Sequence, residues 1–113
     1  MKKGDLIAVN GMIYEYEGIQ ESGLHKVYDV EIDAEGILTR ACVSYFTDEE
    51  LSNRGIDLTN KQWIGLTKHF LRKEYVLPEE KIKEIAIDIV RCFPKIRAPL
   101  VEELPMYIAL YMD

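Results

Sequence analysis

Cysteine and histidine are scarce in this 113-residue chain, with two of each. Two thiols are too few for a disulfide framework, and Cys42 and Cys92 are expected to be free and mostly buried. His25 and His69 have no cysteine or second histidine at ligand spacing. No Asp-x-Asp-x-Asn-Gly loop and no His-x-x-x-His pair occurs, so no metal site is legible. The Gly-x-Gly-x-x-Gly and Walker patterns are missing too, which removes the usual phosphate cradles. No apolar run approaches the length of a membrane span. The basic start Met1-Lys2-Lys3-Gly4-Asp5 is not followed by the apolar segment of a secretory leader. These absences predict a cytoplasmic protein without a cofactor and without a catalytic constellation. A nucleophile built on Cys42 or Cys92 with a histidine is the enzymatic alternative.

What is present is ordinary for a globular chain: 48% apolar and 30% charged residues. The length suits one domain spanning residues 1–113, with one core. The net charge of −6 is uneven. Residues 1–60 hold five bases against twelve acids, a net −7, whereas residues 61–113 hold nine bases against eight acids, a net +1. An acidic half is poorly suited to a nucleic-acid backbone, which binds positive surfaces by releasing counterions.

The chain is organised around Asn10-Gly11. The pair lies between Leu6-Ile7-Ala8-Val9 and Met12-Ile13-Tyr14-Glu15-Tyr16. Asn-Gly between alternating apolar residues signals a two-residue type I′ hairpin, because that turn needs positive φ at both positions. The register then sets Val9 against Met12, Ile7 against Tyr14 and Asp5 against Tyr16. Ile7, Val9, Met12, Tyr14 and Tyr16 share a face that requires a core. Leu6, Ala8, Ile13, Glu15 and Glu17 share one that tolerates water. Gly18 to Gly23 reads as a loop. A third strand is predicted over Lys26–Ile32, a turn at Asp33-Ala34-Glu35-Gly36, and a fourth strand over 37–46. Short connections make this an antiparallel four-stranded meander. Lys3 to Gly11 with Tyr14-Glu15-Tyr16 resembles the first hairpin of SH3-like small barrels. That resemblance implies a partly open barrel and carries over no functional residue.

The period then changes to that of helices. Thr47-Asp48-Glu49-Glu50 and Thr59-Asn60-Lys61-Gln62 each have the form of a capping box. The first helix is expected to end at Gly55. The second carries an apolar stripe of Trp63, Leu66, Phe70 and Leu71, with Gly65 inside it at a cost of about 1 kcal/mol against alanine. Pro78 and Glu79-Glu80 open a third helix, buried through Ile82, Ile85, Ala86, Ile89 and Phe93 and ended by Pro94. Its wide apolar face makes it the candidate to pack across the sheet. The apolar tail Met106–Met112 reads equally as helix or strand, with a break at Pro105. Such a tail either enters the core, which is the expectation, or contacts another chain, where it would be the route to an oligomer. The expected class is α+β, the N-terminal sheet packed against two to three C-terminal helices.

A well-capped fold without a catalytic constellation points to a protein that binds another protein. By analogy, small acidic chains of this kind include mobile-element accessory factors and inhibitors that present acidic surfaces. Glu15, Glu17, Asp29 and Glu31 are the candidate binding residues, expected together on the outer face of the sheet. The alternative is a nucleic-acid or nucleotide-binding module that uses Lys68, Arg72 and Lys73, interleaved with aromatic residues around positions 60–74. A helix-turn-helix is disfavoured by Glu79-Glu80, which would meet phosphates with the wrong sign.

Overall fold

The computed structural model describes residues 1–52, 58–96 and 100–113, without the side chains of residues 93–96. Asn10 and Gly11 adopt φ of 51° and 78°, the two left-handed positions of the turn expected there. This turn joins β1 (Leu6–Val9) to β2 (Met12–Ile19) with Val9 opposite Met12 and Ile7 opposite Tyr14. Asp5 and Tyr16 continue the pairing through Tyr16 N–H donating to Asp5 O at 2.8 Å. β3 (His25–Ile32) and β4 (Leu38–Phe46) complete an open antiparallel meander in the order β1-β2-β3-β4. The helices are α1 (Asp48–Ser52), α2 (Asn60–Glu74), α3 (Glu79–Ile96) and α4 (Leu104–Met112), the last preceded by a 3-10 turn at Val101–Glu103. The chain is mixed α+β.

The fold divides into two compact units. One comprises Met1–Glu31, Thr39–Leu58 and Leu100–Glu102; the other comprises Ile32–Leu38, Thr59–Pro99 and Glu103–Asp113.

In the sheet unit, Ile7, Val9, Tyr14, Tyr16, Val27 and Leu51 form a core, with Phe46 against it. The Tyr14 and Phe46 rings meet edge-on, 5.0 Å between centroids. The other face, mixed enough by sequence to tolerate water, is covered too: Leu6, Ala8, Ile13 and Val30 are buried. Met12, expected in the core, is exposed at the turn. Both capping boxes form. At α1, Thr47 N–H donates to Glu50 Oε1 at 3.1 Å and Glu50 N–H donates to Thr47 Oγ1 at 3.2 Å. The proposed terminator Gly55 lies outside the described residues.

In the helical unit, Thr59 caps α2 reciprocally with Gln62. Trp63, Leu66 and Leu71 are buried and α2 packs against α3 and α4. Tyr75 is extended after α2, in keeping with the break before Pro78. Helix α3 buries Ile82, Ala86, Ile89 and Val90. It continues to Ile96, past Pro94, because the packing of a long apolar face outweighs the lost N–H and the ring clash, about 3 kcal/mol together. Pro105 likewise does not break the tail. It occupies the first turn of α4, where an N–H has no intrahelical partner, and residues 106–112 are helix.

Within this unit α2 and the β3–β4 turn approach each other closely. A Cβ on Gly65 would lie 2.6 Å from Asp33 O, and a Cβ on Gly36 would lie 2.8 Å from His69 N and Lys68 Cβ. Two glycines therefore permit backbone to meet backbone. Gly36 also has φ of 83° and donates its N–H to Asp33 O at 3.0 Å. Lys68 Nζ completes the joint by donating to Ala34 O at 2.8 Å.

Candidate functional site

The four acids expected on one outer face do not share one. Glu15 pairs in register with Tyr28, whereas Asp29 pairs with Tyr14. Cross-strand partners share a face, so Asp29 lies on the side of Tyr14 and Tyr16, and Glu15 lies on the opposite side. The sheet shifts register between Tyr16 and Gly18, at Glu17, and a one-residue slip exchanges faces.

Three of these acids also have partners. Glu15 is paired with Arg40, whose guanidinium stacks 4.8 Å from the Tyr28 ring centroid. Glu17 Oε1 is 3.3 Å from Lys3 Nζ, and Asp29 accepts from Ser44 Oγ at 2.7 Å. Beside Asp29, Tyr14 has its hydroxyl pKa raised, first by burial and then by the Asp29 charge. Glu31 is exposed.

The three bases of the nucleic-acid alternative are not a free patch either. Lys68 is 6% exposed, its Nζ held by Ala34 O and 4.0 Å from Glu35 Oε2. Arg72 donates through Nε and Nη2 to the Glu79 carboxylate at 3.1 and 2.6 Å. That fork holds the Glu79 pKa below the ordinary carboxylate value and raises that of Arg72. Lys73 is exposed. A helical wheel puts Lys68 near the wet side, but the turn at Asp33–Gly36 covers it there.

Cys42 and Cys92 are exposed, against the expectation of burial, because Cys42 is on the outermost strand β4 and Cys92 faces outward from α3. His25 has both ring nitrogens engaged: Tyr16 Oη at 2.7 Å from Nδ1 and Asp48 Oδ1 at 2.5 Å from Nε2. This ring ties β3 to the start of α1 and leaves no nitrogen to activate Cys42. No group of three or more His, Cys, Asp or Glu suited to a metal occurs among the described residues.

The feature that sequence reasoning left undecided is α4. Its sequence Leu104–Met112 contains no charged residue. Leu104 and Ile108 are buried, whereas Met106 is 54%, Leu110 67% and Tyr111 45% exposed. Tyr111 Oη donates to Asp88 Oδ2 at 3.1 Å, and that bond is the first cause of its raised pKa. Between α4 and the end of α2 runs a groove of about 340 Å³, lined by Phe70, Glu74, Tyr75, Pro105, Ile108 and Ala109. The apolar run Met106–Met112 was a sequence signal for this surface. Its exposed side depended on which two residues α4 buries.

Comparison of the chain with protein-family models, with curated proteins and with solved structures gives no match. No helix among the described residues is long and apolar enough to cross a membrane.

Proposed function

We propose that this chain is a non-catalytic module that binds another protein through the outer stripe of α4. The observation that carries the reading is the exposure of Met106, Leu110 and Tyr111 on a helix that bears no charge. A helix apolar on all sides is ordinarily buried on all sides, and α4 buries one. Covering a large apolar side chain contributes about 1.5–3 kcal/mol, so a few such residues can anchor a partner. The acidic-face version has less support, since its four residues divide between two faces and three have partners. We take the compartment to be the cytoplasm, because two free thiols suit a reducing environment.

The test is native mass spectrometry of the protein purified from its own cells, beside a Met106→Lys/Leu110→Lys variant. Both positions are exposed, so the variant keeps its core. The wild-type chain is expected to carry additional polypeptide mass and the variant to have lost it. A bare wild-type chain, or the same complex on the variant, refutes the reading.

A further inference from the structure

We propose that the groove between α2 and α4 takes the ammonium-bearing side chain of a lysine presented by the protein partner. This rests on the protein-binding reading and names what the partner inserts. The groove volume, about 340 Å³, lies at the small end for ligand sites and has room for one long side chain. Its apolar lining, Pro105, Ile108 and Ala109, suits a methylene stem, the part of lysine that buries readily.

Three features select positive charge. Among the lining residues Glu74 alone is charged, and no ion pair among the described residues engages its carboxylate. Phe70 and Tyr75 add aromatic rings to the lining, and ring quadrupoles attract a cation. Glu74 is the last residue of α2 and Tyr75 its cap, so the groove opens at the end of the helix where the macrodipole is negative. The neighbouring cations leave the place open. Arg72 is turned to Glu79 by two hydrogen bonds, and Lys73 is not among the lining residues. An anionic side chain would meet all three features with the wrong sign. A neutral one would gain nothing from the Glu74 charge. On α4, Met106 and Leu110 immediately follow the lining residues Pro105 and Ala109, so apolar neighbours of that lysine have a surface to cover.

The experiment is an NMR titration of the full chain with acetylated, amidated Leu-Lys-Leu, followed at the Phe70 and Tyr75 rings and the Ala109 methyl group. Its neutral counterpart has norleucine in place of lysine, and n-butylammonium is the free-amine probe. The lysine peptide is expected to bind about two- to fivefold more tightly than the norleucine peptide. Glu74→Gln should reduce that difference, leaving only what the rings and the helix end supply, and butylammonium should bind more weakly than the lysine peptide. Equal affinity of the two peptides, or a preference that Glu74→Gln leaves undiminished, overturns the proposal. Butylammonium as tight as the lysine peptide overturns it too, by assigning the groove to free amines. The two readings fail separately. Loss of partner from the α4 variant without a peptide charge preference refutes the lysine assignment alone. A charge preference with no co-purifying polypeptide refutes the docking reading alone.

Discussion

Replacing Gly65 with alanine sets two effects of opposite sign against each other. In an exposed helix interior the change stabilises by about 1 kcal/mol, because glycine loses more backbone freedom on folding. Here the new Cβ would sit 2.6 Å from Asp33 O and 3.1 Å from Ile32 Cγ2. The first neighbour is a backbone carbonyl, and it cannot swing aside as a side chain does. Asp33 is fixed in its turn, accepting from Gly36 N–H at 3.0 Å while its own N–H donates to Ile37 O at 3.2 Å. The turn and α2 must therefore separate, which also stretches the Lys68 bond to Ala34 O. Overpacking of this kind costs about 1–3 kcal/mol, so the net expectation is a loss of about 1 kcal/mol. For a domain near 100 residues that lowers Tm by about 4–8 °C. Gly36→Ala should cost more, since φ of 83° adds strain to three contacts below 3.0 Å. Gly23→Ala isolates the strain, with φ of 88° and nothing within 4 Å, at about 1–2 kcal/mol. Calorimetric melts should rank Gly36→Ala as the most damaging of the three. A rise in Tm for Gly65→Ala, or equal losses at Gly36 and Gly23, would refute the close-approach argument.

Three further outcomes follow from the same geometry. Glu79 has a folded pKa below its unfolded value, so its contribution is present above the unfolded pKa and lost as pH falls through the folded one. Carboxylate NMR should give a Glu79 midpoint that rises on Arg72→Ala; an unchanged midpoint would remove the fork as its cause. Tyr14 has a folded pKa raised above 10.0, so its contribution is full below that pH and declines as pH rises toward the folded value. Tyr14→Phe should flatten this alkaline decline in urea melts, and an equally steep decline would argue against Tyr14 as its source. Cys42 and Cys92 should both react with a thiol reagent in the native protein. Protection of either until unfolding would contradict its exposed position.

Much of the fold was legible because its signals act within a few residues. Asn10-Gly11 takes positive φ at both positions, Thr47 and Thr59 find Glu50 and Gln62 three residues on, and Gly36 takes the left-handed place in its turn. Each is a contest between local backbone states, and neighbouring side chains decide it. Prolines were less reliable markers. Pro94 and Pro105 each read as a break, yet one lies inside a helix and the other near the start of one. A proline limits two residues, whereas the helix is held by the packing of a whole face.

The candidate site was legible only in its parts. The acids Glu15, Glu17, Asp29 and Glu31 alternate with apolar residues, but the faces they occupy follow from the pairing of β2 with β3. The shift at Glu17 and the loop before His25 set that pairing, and a one-residue difference moves every side chain across the sheet. Lys68 repeats the lesson: helical spacing makes it a wet residue, and a turn more than thirty positions away encloses it.

By itself, then, the sequence determined the α+β class, the first hairpin and both capping boxes, all of which depend on short-range dihedral and hydrogen-bond preferences. Tertiary structure alone decided that the acids divide between faces, that Lys68 and Arg72 are committed internally, and that α4 leaves Met106, Leu110 and Tyr111 uncovered. Those outcomes depend on which distant surfaces meet. Burial is a property of the packed whole, and no window of the chain contains it.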